Sequence, residues 1–86
     1  MRTVEMLEQS LAVAEQLHYQ VRHEWLGGSG GGACEFGGRK WLFVDLALPA
    51  DEQLEQVCRA LRSDQGIHLL KFDPSLRRML DLKRAA

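Results

Sequence analysis

The amino-acid sequence predicts an α+β domain. It should hold a small antiparallel sheet of three strands, four if residues 67–72 are extended, flanked by two longer helices and a short C-terminal helix. Three observations carry that reading. Apolar residues recur at helical spacing over 3–17 and then alternate strictly over 19–26. Gly37-Gly38 separates two further alternating runs, which marks a hairpin with a two-residue turn. Helical spacing returns from Pro49. The 86 residues support a single domain, 1–86, and leave no room for a second.

In the first helix, Val4, Leu7, Leu11, Ala14 and His18 form an apolar stripe that Met6, Val13 and Leu17 widen. Thr3 is the expected N-cap, and Glu5 suits the positive end of the helix dipole. Over 19–26, Tyr19, Val21, His23 and Trp25 share one face of a half-buried strand. The run Gly27-Gly28-Ser29-Gly30-Gly31-Gly32 then reads as an internal loop of ordinary length, not a linker between domains. The turn at Gly37-Gly38 sets a register: Phe36 opposite Arg39, Glu35 opposite Lys40, Cys34 opposite Trp41 and Gly32 opposite Phe43. Glu35 and Lys40 are then expected to form a cross-strand ion pair. Over 39–48, Trp41, Phe43, Asp45 and Ala47 face one way; Leu42, Val44, Leu46 and Leu48 face the other. Both faces are largely apolar, which predicts a central strand covered on both sides.

Pro49 suits the first position of the second helix, whose buried stripe is Ala50, Leu54, Val57, Cys58 and Leu61. Asp51 and Glu52 at its start and Arg59 and Arg62 at its end match the dipole, and Glu55–Arg59 is a favourable i,i+4 pair. Gly66 is the expected stop. Residues 67–72 are either a short strand or an irregular apolar connector. Asp73-Pro74 then starts a short helix with Leu76, Met79 and Leu80 inward. The tail 83–86 is expected to fray.

Composition narrows the function classes. Basic residues number 11 and acidic residues 12, a net charge of −1, which argues against a generally basic nucleic-acid binder. No apolar run approaches the roughly 20 residues that cross a bilayer, so no membrane partner is expected. The start of the chain turns acidic at Glu5 without an apolar stretch, unlike a secretory signal, so a cytoplasmic location is expected. Cys34 and Cys58 are too few and too far apart for a disulfide framework or a zinc knuckle. They are read as free thiols, and no metal or cofactor is expected.

Several groups of residues are weighed as sites. Gly28, Ser29, Gly30, Gly31 and Gly32 expose backbone N–H groups that can cradle a small anion or a nucleotide phosphate. The run lacks the Lys and Ser or Thr of a P-loop and leads into a strand instead of a helix. The simpler reading is a connection that needs small residues. In that case Asp45, alone among apolar neighbours, should accept hydrogen bonds from the backbone near Gly30–Gly32 and hold the loop. Cys34, His23 and Asp45 could together serve a thiol- or metal-dependent enzyme, but their spacing matches no motif. The simpler reading is a small apolar thiol, a satisfied imidazole and a loop-holding carboxylate. His18 and His68 are isolated, and the second helix lacks both histidines of a zinc-protease motif. The cations of the C-terminal helix read as a solvated end. Finally, Trp25, Trp41, Leu42 and Phe43 are candidate anchors of either the core or an interface, because a core this small often needs a partner to complete it.

The runs Gly27–Cys34, Trp41–Leu48 and Glu52–Val57 resemble a family of small bacterial proteins with no assigned activity. These share a leading helix, a Gly-rich loop running into a Cys-bearing strand, a hairpin and an acidic amphipathic helix. The resemblance spans roughly residues 1–65 and implies a bacterial domain, with no functional residues attached. Taken together, the sequence points to a non-enzymatic protein-interaction or self-associating domain, with homodimerisation through a sheet face or edge as its simplest form. The thiol or metal enzyme and the anion-binding loop are the alternatives.

Overall fold

A computed structural model describes residues 2–81. The tail 83–86 lies outside the described residues. The elements run α1 (Thr3–Gln16), β1 (Tyr19–Glu24), β2 (Gly32–Phe36), β3 (Arg39–Asp45), α2 (Ala50–Arg62), a 3₁₀ helix (Gln65–Leu69) and α3 (Pro74–Leu80). The α+β class therefore holds, with three strands and three α-helices among the described residues. Residues 67–72 supply no fourth strand: the 3₁₀ helix occupies their first half.

The sheet order is β1-β3-β2, and the sheet is mixed. β2 and β3 form the antiparallel hairpin in the expected register, from Phe36↔Arg39 to Gly32↔Phe43. Gly37 and Gly38 have φ of 60° and 75°, as a primed two-residue turn requires. β1 corrects the expectation of an all-antiparallel sheet, since it pairs with β3 in parallel, from Tyr19↔Lys40 to Glu24↔Asp45. The chain must therefore leave β1, pass over the C-terminal end of β3 and descend as β2 on the far side. That crossing spans two strand spacings, about 9.5 Å. The Gly-rich loop makes it.

The buried apolar side chains of the sheet, Leu42 and Val44, lie on one face; on the other, only Asp45, at the end of β3, is buried. Leu42 and Val44 are 1% exposed and pack with Val13, Leu17, Leu54, Val57, Leu61 and Ile67. α1 and α2 pack against each other and against this face. The smallest extent of the molecule is 16 Å, which fits one helix layer on one sheet layer and no third layer. The expectation that β3 is covered on both sides is thus overturned: Trp41 and Phe43 are half-buried, with no helix among the described residues packed over them. The radius of gyration, 12.5 Å, is that of a compact chain of this length.

Helix details follow the sequence with small shifts. The buried side of α1 is Ser10, Val13, Ala14 and Leu17, so the stripe is rotated away from Val4 and His18, which are exposed. The Ser10 hydroxyl donates to the Leu7 carbonyl at 2.8 Å, which satisfies it in the core. Arg2, not Thr3, holds the N-cap position, without a side-chain cap. His18 follows the helix at φ 72°, a left-handed stop that usually takes glycine. In α2, Leu54, Val57, Cys58 and Leu61 are buried as expected, whereas Ala50 is half-buried and Pro49 is the N-cap, one position before the expected first helical place. The helix ends at Arg62, before Gly66. Asp73 caps α3 by accepting the Ser75 N–H at 2.7 Å. Leu76 and Leu80 point inward, whereas Met79 is at the surface.

Candidate functional site

The crossing loop is built around Asp45. This residue ends β3 and is fully buried. Its carboxylate accepts the N–H of Leu26 (3.0 Å), Gly30 (3.0 Å) and Ala47 (2.9 Å). Burial works against ionisation here, but the N–H groups of Ala47, Leu26, Gly30 and Gly28 outweigh it and hold the carboxyl below its ordinary range. The expected role of Asp45 as the loop's anchor is what the geometry provides. α2 adds a second anchor, as the Gln56 side-chain oxygen accepts the Gly31 N–H at 2.8 Å. Between the anchors, Ser29 folds back onto the Leu26 carbonyl through both its N–H and its hydroxyl. Gly27 and Gly28 at its centre both have positive φ.

These bonds decide what the loop can do. The N–H groups of Ser29, Gly30 and Gly31 are all spent within the protein, so the donors an anion would need are engaged. Steric space explains Gly31 outright, and a left-handed backbone, φ 89°, explains Gly30. A Cβ on Gly31 would sit 1.7 Å from the Phe43 carbonyl oxygen, and one on Gly30 would sit 2.4 Å from the Gln56 amide nitrogen. Close approach to the β3 backbone at Gly31 and positive φ at Gly30, not ligand binding, set these positions.

Cys34, His23 and Asp45 do not converge. Cys34 pairs with Trp41, so it lies on the open face. His23 pairs with Val44 and therefore belongs to the opposite, helix-side face, where it is exposed at the sheet's margin. Asp45 is committed to the loop. Among the described residues no group of three or more His, Cys, Asp or Glu is placed to hold a metal ion. Cys58 is fully buried, and burial pushes its thiol up, as for a small apolar core residue.

A polar cluster that sequence spacing does not reveal sits under the other end of β3. The Lys40 ammonium donates to Asp64 and to the Leu17 carbonyl, and lies 4.3 Å from the Tyr19 ring centre. Tyr19 donates its hydroxyl to the same Asp64 oxygen at 2.9 Å. Asp64 also accepts the Gly66 N–H, so it ties the sheet to the 3₁₀ helix. The expected Glu35–Lys40 ion pair is absent from the described contacts because Lys40 turns under the sheet to this acid. Burial and the Asp64 hydrogen bond push the Tyr19 hydroxyl up to about 12. A raised folded value means that its contribution to stability is complete below the ordinary value of 10.0 and is lost as pH rises towards about 12. Denaturation midpoints should fall across that window, and Tyr19→Phe should flatten the fall; an unchanged slope in the variant would place the alkaline transition elsewhere.

The remaining feature is the uncovered side of the sheet. Trp41 and Phe43 stack there, with ring centres 6.2 Å apart and planes 17° from parallel. They line a groove of about 440 Å³ with Arg22, Cys34, Glu35 and Phe36. Phe36 is 76% exposed, and Trp25, just past β1, is 75% exposed. The Trp41 ring nitrogen is shielded from solvent yet has no hydrogen-bond partner. The four candidate anchors thus divide: Leu42 belongs to the core, Trp41 and Phe43 to the open face, and Trp25 to the surface. No protein-family model, curated protein or solved structure matches the chain. Among the described residues no helix is long and apolar enough to cross a membrane.

Proposed function

We propose that the chain is a self-associating protein domain that works through the uncovered side of its sheet. One observation carries this: the described helices lie on one side of the sheet, while on the other the half-buried Trp41–Phe43 stack and the exposed Phe36 have none of them overhead. A contiguous apolar surface of this kind is costly to leave in water and is the usual mark of a contact site. The Cys34–His23–Asp45 enzyme and the anion-binding loop receive no comparable support, since their groups are separated or already engaged. Membership of the small bacterial family and a cytoplasmic location belong to the same proposal.

Sedimentation velocity over micromolar to millimolar protein tests it. The mass should rise with concentration, and Trp41 emission should move to shorter wavelength as the groove is covered. Phe43→Lys should weaken the association while thermal stability changes little, because Phe43 points away from the core. A monomer throughout, or an association indifferent to Phe43→Lys, would overturn the proposal.

A further inference from the structure

We propose, resting on the self-association just described, that two copies join their β2 strands antiparallel about a two-fold axis at Cys34, giving one six-stranded sheet. The partner is a second copy of this chain, and the surface is the outer edge of β2.

Hydrogen-bond parity identifies the free groups. In a two-residue hairpin the closing pair, Phe36 and Arg39, exchanges both backbone bonds. By alternation, Cys34 and Gly32 also turn their backbone groups to β3. Ala33 and Glu35 then turn theirs outward, and among the described residues no strand pairs with them on that side. Natural edge strands are commonly guarded by lysine, proline or a bulge. β2 has none of these: its sequence is Gly-Ala-Cys-Glu-Phe and its register with β3 is continuous.

Three two-fold registers would use the free groups or straddle them. A centre at Glu35 sets like charges directly opposite each other, which is unfavourable. A centre at Ala33 needs Gly31 as a strand residue, but Gly31 is held by Gln56 and pressed against the Phe43 carbonyl. A centre at Cys34 avoids both faults. It pairs Ala33 with the second copy's Glu35 through two backbone bonds, twice over, and Gly32 with the second copy's Phe36.

The side chains complement one another in that register. Glu35 and Ala33 share the helix side of the sheet, in register with Lys40 and Leu42. Ala33 lines a polar groove of about 370 Å³ together with Tyr19, Gln56 and Arg59. The second copy's Glu35 would enter beside Arg59, whose own helix partner, Glu55, is a loose 3.9 Å away. On the open side, Gly32 leaves an empty place next to Phe43, with nothing within 4 Å of where a Cβ would stand. The exposed Phe36 of the second copy fits there, an aromatic side chain covering an edge glycine. Each copy offers both halves of both contacts, as a two-fold interface requires.

Charge exchange and cross-linking test the register. Glu35→Arg should raise the dimer dissociation constant roughly tenfold, because two ion pairs become two repulsions. The double variant Glu35→Arg with Arg59→Glu should restore it. Diamide, which takes up the two thiol hydrogens, should link Cys34 to Cys34 in the dimer, and Cys34→Ser should not link. A dimer that neither cross-links nor responds to Glu35→Arg would overturn the edge pairing and leave face-to-face association standing. A monomer at millimolar concentration would overturn both.

Discussion

Replacing Gly31 with alanine should destabilise the domain by about 3 kcal/mol or more, the largest effect of any single methyl group in the loop. The new Cβ would meet the Phe43 carbonyl oxygen at 1.7 Å and its carbon at 2.5 Å. Neither atom is the end of a flexible side chain, so the loop must lift off the central strand. Lifting it strains the Gly31–Gln56 bond and the neighbouring Gly30–Asp45 bond. A domain of this size has only roughly 5–10 kcal/mol in total, so the variant should be close to unfolding at body temperature. Gly28→Ala is the informative control. Gly28 has φ +81° but nothing within 4 Å of its would-be Cβ, so only the left-handed backbone penalises alanine, by about 1–2 kcal/mol. Urea denaturation ranks the two. Equal losses would mean that the loop does not press on β3 as described.

Removing the Asp45 carboxylate should lower the melting temperature by on the order of 10 °C or more. Asp45→Ala leaves the N–H groups of Leu26, Gly30 and Ala47 facing a cavity without an acceptor. Asp45→Asn should fall between, because one amide oxygen can still accept while the amide nitrogen opposes the remaining N–H. The loss should also depend on pH in a defined direction. The folded carboxyl titrates below its ordinary value of 3.8, so its contribution is present above that value and disappears as pH falls through the lower, folded one. Asp64 acts in the same sense. Thermal melts followed by circular dichroism should therefore converge for wild type and Asp45→Asn under acid conditions. Gly30 amide exchange should accelerate in both variants. A wild-type melting point retained in Asp45→Ala would remove Asp45 as the loop's anchor.

What could be read from the sequence is what local chemistry decides. The β2–β3 register follows from two glycines between adjacent runs, and every pair of it is found. The α3 cap follows from Asp73 and Pro74 in the same way. The contact between Asp45 and the loop was also legible, because a lone carboxylate in an apolar strand must find donors nearby. The place of β1 was not. Alternation states which residues share a face, but it is identical for parallel and antiparallel neighbours. With the direction of β1 undetermined, His23 could be placed beside Cys34, whereas the parallel register sends it to the other face. The Tyr19–Lys40–Asp64 cluster depends on the same pairing and was hidden for the same reason. The aromatics of β3 misled differently. Trp41 and Phe43 resemble core residues in composition, and only the count of layers shows that no helix remains to cover them.

The passage of the chain over the end of β3 also constrains the order in which the molecule can assemble. β3 lies between its two neighbours, yet it is the last of the three strands in the chain. β1 therefore emerges before its neighbour exists and has nothing to pair with. The hairpin closes over a two-residue turn, a microsecond event with little chain entropy to lose, while β1 must close across the whole loop and hairpin. The glycines make that longer closure feasible but also raise its entropy cost, and the buried Asp45 offsets part of that cost only once β3 is complete. The carboxylate thus acts as a latch on the final step: beyond its local Ala47 donor, it has no loop N–H to hold until β1 and its loop arrive.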